Sequence, residues 1–86
     1  MNDRRYNGEI EFGYKGQEFR ITFGSMQPVA IIWLVADGSA DELVASCDYL
    51  LSDTAGELVS RAVNELRHDA VEYRISDIIR TRKTVK

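Results

Sequence analysis

Two stretches near the start of the chain alternate apolar and polar residues, which is typical of β-strands with one buried face. A Lys-Gly dipeptide at 15–16 separates them as a two-residue loop, and its glycine supplies the positive φ that a tight hairpin turn needs. Counting outward from this loop pairs Glu11 with Arg20, which places opposite charges on one face of the hairpin. The pattern therefore predicts an antiparallel hairpin with strands over 8–14 and 17–24. Its apolar positions are Ile10, Phe12, Tyr14, Phe19, Ile21 and Phe23.

The longest apolar run in the chain covers residues 29–36, Val-Ala-Ile-Ile-Trp-Leu-Val-Ala. It follows Pro28, which suits the first position of a strand, and it is closed by the turn formers Asp37 and Gly38. A short, continuous run rich in β-branched residues is typical of a strand that is buried on both faces. We therefore expect a third strand over 29–36, adjacent to the hairpin.

The segment after this strand has features of a helix. Ser39 followed by Glu42 matches a capping box, in which each side chain accepts a hydrogen bond from a backbone amide of the first turn. The apolar residues that follow recur at helical spacing and are Leu43, Val44, Cys47, Leu50 and Leu51. This pattern predicts an amphipathic helix over 40–52.

A second capping box opens the next predicted helix. Thr54 and Glu57 have the required spacing, and the apolar positions after them follow the helical period as far as Ala70. Beyond Ala70 the apolar stripe turns by roughly 120° around the helix axis, so a single straight helix cannot bury both halves on one surface. We expect a helix over 55–69 and a bend near residues 68–70.

The last segment has two interpretations. Its apolar residues fit a terminal helix over 70–82, whereas the alternation of apolar and polar residues from 71 to 76 fits a fourth strand. The absence of glycine and proline after Gly56 favours the helix.

Together these elements predict an α+β fold. It consists of a three-stranded antiparallel β-meander (8–14, 17–24 and 29–36) packed by two or three α-helices (40–52, 55–69 and 70–82). The length of 86 residues suits a single small domain over 1–86, with flexible ends at 1–7 and 83–86.

Composition narrows the class of protein. Hydrophobic residues make up 44% of the chain and charged residues 29%, which is ordinary for a globular domain. The longest apolar run is far shorter than the ~20 residues that a membrane-spanning helix needs, so no membrane association is expected. The chain holds a single cysteine, which suits a reducing, cytoplasmic location.

Charge is distributed unevenly along the chain. Residues 37–70 carry a net charge of −6, and residues 71–86 carry +3. The acidic region could meet a basic protein surface, and its candidate binding residues are Asp37, Asp41, Glu42, Asp48 and Asp53. The basic end could contact a partner or the phosphates of a nucleic acid, through Arg74, Arg80, Arg82 and Lys83.

No pattern of residues indicates an enzyme, a metal site or a bound cofactor. Cys47 has no neighbouring cation in sequence to activate it, and His68 is the only histidine. One histidine and one cysteine do not build a structural zinc site by themselves. We therefore expect neither catalysis nor a cofactor.

The function that remains is binding. The leading hypothesis is a small non-catalytic protein that docks on another protein, such as a phage- or plasmid-type regulator or inhibitor. The alternative is a nucleic-acid-associated regulator that uses its basic C-terminal helix. Self-association into a homodimer is a separate expectation, because the last segment has a surplus apolar stripe formed by Val71, Ile75, Ile78 and Ile79.

Overall fold

The structure, a computed structural model, describes residues 7–24, 28–36, 40–50 and 53–84, with side chains from residue 8 to residue 82 of those ranges. Four strands are followed by two helices: β1 (Asn7–Tyr14), β2 (Gln17–Gly24), β3 (Val29–Leu34), β4 (Glu42–Asp48), α1 (Ala55–Leu66) and α2 (Asp69–Thr84). The strands form one antiparallel sheet in the order β1-β2-β3-β4, which confirms the α+β class. Of the ends predicted to be flexible, residue 7 opens β1 and residues 83–84 close α2, while 1–6 and 85–86 lie outside the described residues.

The hairpin of β1 and β2 has the predicted register. Glu11 pairs with Arg20, and Phe12 pairs with Phe19 with ring centroids 5.6 Å apart. The loop residues Lys15 and Gly16 both have positive φ, at 51° and 80°, as a type I′ turn requires.

One face of the sheet forms the core with the helices. α1 begins at the predicted capping box, in which the Glu57 backbone N–H donates to Thr54 Oγ1 and the Thr54 N–H donates to Glu57 Oε1. Partly buried apolar side chains of α2 pack against the same core. The buried residues of this core are Phe19, Ile21, Ala30, Ile32, Leu34, Val44, Cys47, Tyr49, Leu58, Ala62 and Leu66.

The prediction that β3 is buried on both faces is wrong. Ala30, Ile32 and Leu34 are fully buried, whereas the residues that alternate with them are only partly buried and lie outside the core cluster. An apolar run shows that a strand is central, and β3 does lie between β2 and β4. It does not show how many faces the helices cover, and here both helices pack on the same face.

The predicted helix over 40–52 is also wrong, because this segment contains β4. Ile32 pairs with Ala45 and Trp33 pairs with Leu43, so Val44 is an extra residue in a β-bulge. The bulge shifts the alternation by one position, which leaves Val44 and Cys47 both buried, three residues apart. That spacing imitates the period of a helix. Ser39, the proposed cap, lies outside the described residues.

The bend in the C-terminal half is confirmed. α1 ends at Leu66, α2 begins at Asp69, and the last segment is a helix and not a fourth strand. The change in direction lets α1 bury Leu58, Ala62 and Leu66 while α2 turns its own apolar stripe toward the sheet. Among the described residues, no helix is long and apolar enough to cross a membrane.

Candidate functional site

The sheet face opposite the helices is left uncovered by the described part of the chain, and we call it the open face. Two cross-strand rows cross it. The first row is Glu9, Thr22, Ile31 and Ser46, and the second is Glu11, Arg20, Trp33 and Leu43. The open face consists of these two rows together with Val29, Asp48 and the adjoining Asp41.

The open face is divided into an apolar half and a polar half. Val29, Ile31 and Trp33 of β3 and Leu43 of β4 form the apolar half, and Leu43 is 47% exposed. The strands β1 and β2 supply charged and polar side chains instead. The division follows from the sequence, because every second residue of the hairpin is polar whereas β3 is apolar throughout.

Arg20 is the centre of the polar half. Its Nη2 lies 2.7 Å from Glu11 Oε2, its Nη1 lies 2.6 Å from Asp41 Oδ2, and its Nε lies 3.6 Å from Glu9 Oε1. The hydrogen bond to Glu11, followed by the charges of Asp41, Glu11 and Glu9, raises the pKa of Arg20. Asp41 also accepts a 3.4 Å hydrogen bond from the Ala36 N–H, so it links the chain after β3 to the sheet. Three carboxylates around one guanidinium leave this half negatively charged.

Trp33 lies where the two halves meet. Its indole Nε1 donates a 2.8 Å hydrogen bond to Thr22 Oγ1, which fixes the ring against β2. A shallow cavity of about 320 Å³ lies beside the ring and is lined by Glu9, Arg20, Thr22, Trp33 and Asp41. An aromatic wall beside carboxylates can receive the apolar stem and charged end of a basic side chain.

The acidic residues proposed from the sequence occupy different places. Asp41 and Asp48 belong to the open face, and Glu42 is exposed at the start of β4. The side chain of Asp53 is instead paired with Arg61 and is only 6% exposed. Asp37 lies outside the described residues.

Asp53 anchors α1 to the end of the sheet. Its carboxylate lies 2.7 Å and 3.2 Å from the two Nη atoms of Arg61, and it accepts a 2.7 Å hydrogen bond from the Leu50 N–H. Hydrogen bonds from Arg61 and Leu50 lower the pKa of Asp53. Arg61 also donates to the Asp48 carbonyl, at 3.0 Å. These contacts give Asp53 a structural role.

The basic residues proposed from the sequence are not brought together. Arg74 donates to the Leu43 carbonyl at 3.1 and 3.2 Å, and Arg80 pairs with Asp77 at 3.2 Å. Arg82 is partly buried, and the side chain of Lys83 lies outside the described residues. The helical period places positions 74, 80 and 82 on different sides of α2.

A second incompletely covered surface lies between α2 and the hairpin loop, and we call it the α2 groove. It encloses about 240 Å³ and is lined by Tyr14, Lys15, Gln17, Phe19, Leu66, Glu72, Ile75, Ser76 and Ile79. Lys15 Nζ lies 3.1 Å from Glu72 Oε2 across its mouth. Of the residues proposed for self-association, Ile75 and Ile79 line the groove, while Val71 and Ile78 pack against the core elsewhere.

Glu9 and Glu11 are not among the binding residues proposed from the sequence, yet both belong to the open face. The signal was present in the hairpin register, which brings Glu11 opposite Arg20. It gave no indication that Asp41, 21 residues from Arg20 in sequence, joins the same cluster.

The described residues carry no metal-binding group of histidine, cysteine, aspartate and glutamate side chains. Cys47 is a buried free thiol whose burial raises its pKa, so it is protonated at neutral pH and a poor nucleophile. His68 is exposed in the turn between the two helices.

Comparison with known proteins gives no match for this chain among protein-family models, curated sequences or solved structures.

Proposed function

We propose that this protein is a non-catalytic docking protein whose open face binds a basic surface on a protein partner. The observation that supports this most directly is the position of an apolar stripe beside a cluster of carboxylates on a sheet face that no described element covers. By occupying its partner stoichiometrically, such a protein would act as a regulator or inhibitor. The buried free thiol suits a cytoplasmic location, which is part of the proposal.

The apolar half of the open face supplies the area for binding. Leu43 is 47% exposed and pairs across the strands with the partly buried Trp33, and the partly buried Ile31 lies two residues before Trp33 on the same face of β3. An apolar centre with a polar rim is the usual anatomy of a protein interface, and a tryptophan near the centre is a frequent anchor. A partner that covers these side chains removes their apolar surface from water, which favours association.

The polar half determines which partner fits. Glu9, Glu11 and Asp41 contribute three negative charges to it and Arg20 contributes one positive charge, while the exposed Asp48 adds a fourth negative charge to the open face from β4. The side chains of Glu9 and Glu11 are 63% and 57% exposed, so they can still contact a partner while they hold Arg20. A basic surface complements this charge and is steered toward it during diffusion, whereas an acidic surface is repelled.

The proposal is tested by affinity capture from lysate of the source cells, with and without nuclease, using one variant in each half of the open face. Leu43→Lys places a charge in the apolar half, and Glu9→Lys reverses a charge in the polar half. We expect both to weaken capture of a basic protein by about tenfold or more, in a nuclease-insensitive manner. Mass spectrometry identifies the partner, and interferometry with the purified pair gives the dissociation constants.

Two matched controls lie away from the open face. Tyr73→Lys introduces the same residue at an exposed aromatic side chain of α2, which is 74% exposed, and Asp69→Lys makes the same charge reversal at the start of α2. Both should capture as well as wild type. The nucleic-acid alternative predicts a different pattern. In that case nuclease would abolish capture, and so would Arg80→Ala and Arg82→Ala, whereas Leu43→Lys would have no effect.

A further inference from the structure

We propose that the protein forms a symmetric dimer in which the α2 grooves of two copies face each other across a two-fold axis. This inference is independent of the open face, because it rests on different residues on the opposite side of the sheet.

The walls of the α2 groove are mostly apolar. The groove is lined by Ile75 and Ile79 of α2, by Tyr14 and Phe19 of the hairpin and by Leu66 of α1. Phe19 and Leu66 are fully buried, but the two isoleucines and Tyr14 are only partly buried. The groove has a volume of about 240 Å³, which leaves room for side chains from outside the chain. Side chains from outside the chain that fill this space would gain dispersion contacts that the groove walls otherwise lack.

The residues of α2 that line the groove are spaced along one face of the helix. Glu72, Ile75, Ser76 and Ile79 all line the groove, and their positions follow the i, i+3, i+4, i+7 pattern of a helix face that packs against another helix. α2 has 16 residues, which corresponds to a helix about 24 Å long. Two such helices can therefore pack antiparallel, with the isoleucines of one beside those of the other.

The charges at the mouth of the groove favour a second copy as the occupant. The mouth of the groove carries one cation and one anion, Lys15 and Glu72, whose side chains are 66% and 41% exposed. A two-fold axis brings residue i of one copy against residue j of the other and j against i. Lys15 of each copy then faces Glu72 of the other, so the patch is complementary to itself. The remaining residues that line the groove are uncharged, which gives a foreign partner of either sign no electrostatic advantage.

The test is a charge exchange between two variants, followed by sedimentation velocity. Lys15→Glu leaves two anions at each mouth, and Glu72→Lys leaves two cations, so each variant alone should dimerise at least about tenfold more weakly than wild type. In an equimolar mixture, a chain with two anions can meet a chain with two cations. Opposite charges then face each other at both contacts across the two-fold axis, and dimerisation should recover as a heterodimer. The bridge within each chain stays broken in the mixture, so recovery measures the contact between copies.

A second variant tests the apolar contact without touching these charges. Ser76→Arg places a long charged side chain from an exposed position into the groove, and it should also weaken the dimer by about tenfold or more. Asp77→Arg introduces the same residue at an exposed position of α2 that does not line the groove, so it is the matched control and should leave the dimer unchanged. A wild-type protein that sediments as a monomer at about 100 µM would overturn the inference, as would a dimer that neither groove variant weakens.

Discussion

The open face and the α2 groove are both incompletely covered apolar surfaces, and they differ in the balance of their charges. The open face has four carboxylates, three of them around one guanidinium, whereas the mouth of the groove has one amine and one carboxylate. A surface with excess charge of one sign repels its own copy and suits a partner of opposite sign. A surface with one charge of each sign can meet itself across a two-fold axis. One small domain can therefore present one surface for a foreign partner and another for self-association.

The largest expected effect is a difference in the free energy of unfolding between a variant of the open face and a variant of the core behind it. Ile31 and Ile32 are neighbours on β3, but Ile32 is fully buried and Ile31 belongs to the open face. Ile32→Ala should lower the free energy of unfolding by about 3 kcal/mol, because it leaves a cavity in the core, and Ile31→Ala by about 1 kcal/mol or less. Urea denaturation of the two variants measures both values. Equal losses would mean that another part of the chain covers the open face.

The same strand shows what sequence could predict and what it could not. The hairpin, the start of α1 and a bend near residues 68–70 could be predicted because each is specified locally: by a two-residue loop, by the Thr54–Glu57 capping box and by a change in the apolar stripe. The break itself lies at residues 67–68, slightly earlier than predicted. The coverage of β3 depends on where two distant helices pack, which no local pattern records. The segment that forms β4 has the pattern of a helix because one bulged residue, Val44, interrupts the alternation of buried and exposed positions that is typical of a strand.

The candidate surfaces were predicted only in part for the same reason. Register alone brought Glu11 to Arg20, since both lie on one hairpin. Tertiary packing places Asp41 beside Arg20. It also determines which apolar residues of α2 line the groove and which pack against the core elsewhere. Acidic residues counted from composition could not be sorted into those that face solvent and those, such as Asp53, that hold the fold together.

The second prediction uses salt to distinguish the two surfaces. Raising the sodium chloride concentration from about 0.05 M to about 0.5 M should slow association of the open face with its basic partner by about tenfold, because screening removes long-range attraction. Dimerisation through the groove should change much less, since each copy presents one charge of each sign there. Stopped-flow mixing measures the first rate, and sedimentation equilibrium measures the second constant. An equal response would contradict the contrast in charge on which both proposals depend.

The smallest expected effect concerns Asp53 and tests whether this acidic residue stabilises the fold or belongs to the open face. Hydrogen bonds from Arg61 and Leu50 lower the pKa of Asp53 below its ordinary value of 3.8. A carboxyl group whose pKa is lower in the folded state stabilises the fold at a pH above its unfolded value, and this contribution is lost as the pH falls through the folded value. Asp53→Asn should therefore unfold more readily than wild type at neutral pH. The difference should narrow as the pH falls below about 3.8, which thermal denaturation across a pH series measures.

Asp48→Asn is the matched control for this experiment, because Asp48 is exposed on the open face and close to Asp53 in sequence. It should leave the free energy of unfolding unchanged at neutral pH while weakening attraction to a basic partner. The opposite pattern, with Asp53→Asn harmless to folding and damaging to binding, would move Asp53 back into the binding surface. The expected pattern instead limits that surface to carboxylates on the uncovered side of the sheet. Asp53, which links the end of the sheet to α1, then stabilises the fold. Composition alone counts it together with the exposed carboxylates as one acidic region.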